Sequence, residues 1–166
     1  MTKRRTTPYD DQIPPELWLQ VPRADLRLRL IEAVLTIARL RGATSLDVQE
    51  ALSMKWDRPS DDFGLRRTLG ALPDYDLAYT TVQPIVLHQK IGLFRLTERG
   101  RTLARTLGVE PIDNGWDTLV RTHQGEKQVK HAALLLHTDR LARECGWQTV
   151  LTPQVECVGF HPDPCS

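Results

Sequence analysis

Residues 92–108 read GLFRLTERGRTLARTLG. Leu93, Phe94 and Leu96, set around Arg95, have the character of a short strand. Thr97 then offers an N-cap hydroxyl, Glu98 puts a carboxylate at the positive end of a helix dipole, and Gly108 stands where a helix of about three turns should stop. A strand that turns at once into a basic helix occurs in many small folds. What precedes it decides which fold this is.

Upstream, the apolar residues Leu30, Ile31, Val34, Leu35, Ile37, Ala38 and Leu40 recur at helical spacing between Ala24 and Arg41. Arg27, Arg29, Glu32, Arg39 and Arg41 fall mostly on the other side, which predicts an amphipathic helix ended by Gly42. Thr44 or Ser45 caps a second helix, LDVQEALSM, with Leu46, Ala51 and Leu52 available to a core. After a short polar connection, Ser60 opens a third, DDFGLRRTLGAL, stopped by Pro73. Leu65, Leu69 and Leu72 form its apolar side. At roughly 100° per residue, Arg67 points away from the core, with Phe63 and Gly70 near it and Arg66 on the flank. Tyr79 to His88 is rich in β-branched residues, and Gln89 to Gly92 offers a turn back into Leu93 to Leu96. Pro84 requires an edge position or a break.

The order helix, helix, helix, hairpin, helix, with SLDVQEALSM, SDDFGLRRTLGAL and VLHQKIGLFRLTERGRTLA as its parts, resembles the winged helix-turn-helix DNA-binding family over about residues 24–108. The first two segments are similar to the paired helices of the turn-helix unit, and the third to the wing and closing helix of bacterial winged-helix regulators. The resemblance implies an α+β protein: three helices, a β-hairpin wing and a closing helix, followed by a small α/β C-terminal segment. It implies sequence-specific binding of double-stranded DNA in transcriptional or replication-linked regulation, with no cofactor expected and no effector named. A recognition surface this small and mildly charged binds weakly alone, so a homodimer on two half-sites is expected.

In such a protein the third helix reads base edges and the wing meets phosphate or the minor groove. Arg66 and Arg67 suit the first role, and Lys90 and Arg95 the second. Arg58 and Ser60, at the helix entrance, could hold phosphate with the backbone N–H groups there. Asp61 and Asp62 would repel it. A wing tip carrying only Lys90 would grip weakly.

The 166 residues carry a formal net charge of +1, unevenly spread. Residues 1–108 hold 17 Lys and Arg against 13 Asp and Glu, and residues 109–166 hold 5 against 8. Only the first part has a balance that favours phosphate. No apolar run is long enough to span a bilayer and the start lacks a secretory core, so a cytoplasmic protein without membrane contact is expected. Residues 1–22, with Lys3, Arg4, Arg5 and four prolines, read as a mobile arm docked at its Trp18 end. Residues 23–108 form the winged unit. Residues 109–166 form an accessory α/β segment: a connector anchored at Trp116 to Val120, an amphipathic helix over 129–145 using Ala132, Ala133, Leu135, Leu136, Leu141 and Ala142, and two short strand-like runs.

Enzymatic chemistry has little foothold. Cys157, His161 and Cys165 are spaced wrongly for a zinc knuckle, and Cys145 reads as a small buried hydrophobe. His131 and His137, six apart, fall on opposite sides of one helix. Residues 129–163 loosely resemble the opening of a restriction-endonuclease-like domain, as it follows winged helices in the plasmid replication-relaxation family. Glu144 and Asp163 match the first two metal-binding roles there, Glu156 lies on the strand between them, and no Glu-x-Lys strand follows. That leaves a truncated or decayed nuclease domain as a lesser alternative. A second alternative is a winged helix that docks to protein, which the acidic second segment and Asp61 and Asp62 would suit.

Overall fold

In the computed structural model, which describes residues 7–86, 88–123 and 127–151, the chain is a mixed α+β protein of six α-helices and one antiparallel hairpin among those residues. Helices α1 (Ala24–Ile37), α2 (Ser45–Trp56) and α3 (Phe63–Ala71) come first. The hairpin β1 (Ala78–Val86) and β2 (Gln89–Leu96) follows, and then α4 (Glu98–Thr106), α5 (Gly115–His123) and α6 (Val129–Glu144).

Helix α1 buries Leu30, Ile31, Val34, Leu35 and Ile37 as its spacing predicts. It ends at Ile37, earlier than Gly42, in a tightened turn (Arg39 N–H to Thr36 O, 3.1 Å). Gly42 is needed for another reason: a Cβ there would lie 2.4 Å from the Asp47 carboxyl carbon. Thr44 caps α2 in a reciprocal box. Its hydroxyl accepts from Asp47 N–H at 3.1 Å, and its own N–H donates to the Asp47 carboxylate at 3.0 Å. The core side of α2 is Val48 and Leu52, whereas Leu46, expected inside, is 46% exposed.

The hairpin is tighter than its sequence suggested. Gln89 and Lys90 already belong to β2, and the chain turns at His88 with φ 67°. Pro84 is tolerated because β1 is an edge strand whose register shifts between Pro84 and Val86. On its other side β2 receives the segment before α2: Thr44 bridges Leu93, and Phe94 N–H donates to Ala43 O at 2.8 Å. Thr97 locks the far end. Its hydroxyl accepts from Gly100 N–H at 3.1 Å and donates to Asp76 O at 2.5 Å, holding the start of α4 against the turn that follows α3.

Side chains alternate across the hairpin, and each face is covered by a different core. Ala78, Phe94 and Leu96 join α1 to α4 in the larger core. Ile91 and Leu93 face Trp116 and Leu119 of α5 and Ala132, Ala133 and Leu136 of α6 in the second. The C-terminal helices thus cover the outer face of the hairpin. Residues 7–22 are docked along their length, because Ile13, Leu19 and Val21 enter the larger core. Arg27, expected on the polar side of α1, is buried. It pairs with Asp10 at 2.8 Å beneath the Trp18 ring, 4.8 Å from its centroid. Residues 1–6 and 152–166, which include Lys3, Arg4, Arg5 and both strand-like runs after Pro153, lie outside the described residues.

Candidate nucleic-acid interface

The α2–turn–α3 unit packs on α1 through Val48 and Leu52 from one helix and Leu65 and Leu69 from the other. Asp57, at φ 48°, ends α2, and Asp62 starts α3 by accepting from Leu65 N–H at 3.0 Å. Ser60 therefore stands in the turn, two residues before the cap. The short Asp62 side chain outcompetes it because the cap acceptor must sit directly before Phe63. Arg58 lies 3.8 Å from the same Asp62 carboxylate. The phosphate site expected at this helix entrance is thus partly filled by the protein's own anion.

The outer face of α3 follows the helical arithmetic. Leu65, Thr68 and Leu69 are buried, while Phe63 is 78% exposed and Arg66, Arg67 and Gly70 lie open to solvent. Neither Arg66 nor Arg67 has a carboxylate partner among the described residues. Elsewhere arginines are widely engaged: Arg27 with Asp10, Arg101 with Asp113 and Asp117, Arg105 with Glu98 and Glu110, Arg121 with Asp113. Arg66 and Arg67 are thus exposed on one helix face without an internal ion pair among the described residues, as are Arg39 and Arg41 after α1.

Lys90 is exposed near the hairpin tip, opposite Pro84 in the register. Arg95 is placed differently. It lies on the α5 side of the hairpin, over the Tyr79 ring at 4.3 Å and the Trp116 ring at 5.5 Å from their centroids. This stacking explains why a charged residue interrupts the apolar strand, and it takes Arg95 away from the surface that carries Arg66 and Arg67.

The sequence did not point to Asp47 or its partners. Arg140 and Arg143 of α6 reach its carboxylate at 2.9 and 3.2 Å, so Thr44, Asp47 and the two arginines clamp the last helix onto the start of α2. Burial would push the Asp47 carboxyl up, but the Thr44 hydroxyl and N–H, with Arg143 and Arg140, hold it below the ordinary carboxylate value. The Thr-x-x-Asp spacing was a legible signal for the cap; arginines some ninety residues later were not.

Of the other candidates, Glu144 pairs with Arg140 at 2.7 Å. Cys145 is exposed, not buried, because α6 ends there with its apolar side already spent on Ala132, Ala133 and Leu136. Leu141, expected in the core, is 47% exposed. Glu156, Cys157, His161, Asp163 and Cys165 lie outside the described residues. Among the described residues no group of three His, Cys, Asp or Glu could hold a metal ion, and no helix is long and apolar enough to cross a membrane. Compared with models of known protein families, with curated proteins and with solved structures, the chain gives no match.

Proposed function

We propose that residues 23–108 act as a winged helix-turn-helix unit that binds duplex DNA, with α3 in the major groove and the hairpin as the wing. The observation that carries this reading is the outer face of α3: Arg66 and Arg67 exposed without carboxylate partners, beside Phe63 and the open Gly70. Guanidinium groups suit guanine O6 and N7, and an exposed ring suits a thymine methyl. The element order and the pairing of Thr44 with β2 beside the hairpin support the same reading. The contact set is Arg66, Arg67 and Lys90, with Arg58 and Ser60 weakened by Asp62 and Arg95 kept as a structural residue. The chain works by binding, without a reaction of its own, as a cytoplasmic regulator.

So small a reading surface calls for two copies on paired half-sites. The test is fluorescence anisotropy against a random duplex over a salt series. Affinity should fall steeply with salt, and Arg66→Ala with Arg67→Ala should lower it and make the salt slope shallower, because on a random duplex these cations act through the charge of the DNA backbone. No binding at low salt would overturn the reading. A docking surface for protein is the second reading, favoured by Met54 at 79% and Phe63 at 78% exposure. Such a surface has no reason to release counterions, so its mark is the absence of a salt slope.

A further inference from the structure

The hairpin tip is accompanied by a second element. Pro84 and Ile85 of β1 line a cavity of about 420 Å³ together with Gln128, Lys130, His131 and Leu134 from the start of α6. Lys127 and Lys130 are both exposed. The first turn of α6 carries no acidic residue, and no carboxylate among the described residues lines the cavity or pairs with either lysine.

The register places these cations on opposite sides of the ribbon from Lys90. Ile91 and Leu93 point to the face of β2 on which α6 packs and Lys90, next to Ile91, to the other, while Pro84, paired with Lys90 beside the register shift, reaches the cavity from the β1 edge. The tip is therefore flanked by Lys90 on one side and by Lys127 and Lys130 on the other. A tip laid against a minor groove about 6 Å wide meets a row of phosphates on each side. Lys90 alone could serve one row.

We propose that the start of α6 belongs to the DNA-contacting surface: Lys127 and Lys130 bind backbone phosphates on one flank of the hairpin tip while Lys90 binds those on the other. This rests on the winged-helix reading above and gives the accessory segment a part in it. Of the eight carboxylates in residues 109–166, those at positions 113, 117, 139 and 144 pair with arginines away from these two lysines.

The experiment is the salt dependence of duplex affinity for the full chain and three variants. Lys127→Ala with Lys130→Ala should reduce the slope of log affinity against log salt by about 2, since each phosphate contact contributes about 0.9. Arg39→Ala with Arg41→Ala removes the same charge elsewhere and should change the slope far less. Arg41 lines a cavity with Arg143, thirteen residues along α6 from Lys130, or roughly 20 Å at 1.5 Å per residue. Arg66→Ala with Arg67→Ala tests the underlying reading. Both lysines are exposed, so an unchanged thermal unfolding midpoint should accompany the loss. Binding that responds to the Arg66 and Arg67 pair but not to the lysine pair would overturn this inference and leave the reading intact. An equal response to the Arg39 and Arg41 pair would also overturn it, by showing an unspecific charge effect. No binding by the unaltered chain would overturn both.

Discussion

At the scale of single residues, Gly100 and Gly70 make a paired test. A Cβ on Gly100 would stand 2.1 Å from the Leu77 carbonyl oxygen, a backbone atom that cannot move aside without displacing the start of β1. Gly100→Ala should therefore destabilise the protein by about 3 kcal/mol, at the upper end of overpacking costs, read from urea unfolding. A Cβ on Gly70 would meet no atom within 4 Å, and the residue is exposed near the end of α3. Gly70→Ala should instead stabilise by about 0.5–1 kcal/mol, the ordinary gain of alanine over glycine in a helix. Asp47 gives a pH test. Its folded-state carboxyl titrates below the ordinary value, so its contribution is complete above the unfolded value near about 4 and is lost as pH falls through the depressed one. Asp47→Asn should cost roughly 3 kcal/mol at neutral pH, because two arginines lose a buried anion, and should flatten the decline in stability below about pH 4. Chemical denaturation from pH 7 to pH 2 checks both parts.

At the scale of elements, the sequence located α4 from its Thr97 cap and Gly108 stop and α6 from its apolar spacing, and it placed α1 by the same spacing but carried its end on to Gly42 when the helix stops at Ile37. It was less accurate where side chains compete for a local role. Asp62 took the cap of α3 from Ser60, and the turn of the hairpin moved from Gln89–Gly92 to His88. The second core makes the hairpin depend on helices that follow it. Leu136 is 2% exposed and packs with Leu93 and Trp116. Leu136→Ala should cost about 2–5 kcal/mol. It should also speed hydrogen exchange at the amides of β2 more than at those of α1; equal acceleration in both would show that the two cores open as one unit.

At the scale of the whole molecule, the two cores share one hairpin, and the charges sort around them. Arginines of α4, α5 and α6 are largely spent on carboxylates, while those on the outer side of α3 are not. A molecule built this way should bind DNA through counterion release at a confined surface, and light scattering on the complex should report two protein copies per paired site. What the sequence determined by itself was the order of the elements from α1 to α4, the position of α6 and the outward direction of Arg66 and Arg67, because these follow from periodicity and caps within a few neighbouring residues. The stretch anchored at Trp116 to Val120, expected as a connector, is instead helix α5. Only the tertiary structure decided that Arg95 stacks on Tyr79 and Trp116, that Asp47 is held by Arg140 and Arg143, and that α6 begins beside the hairpin tip. Each of these joins residues about 15 to 100 positions apart, a separation that local spacing does not constrain and that only the packing of both faces of the hairpin resolves.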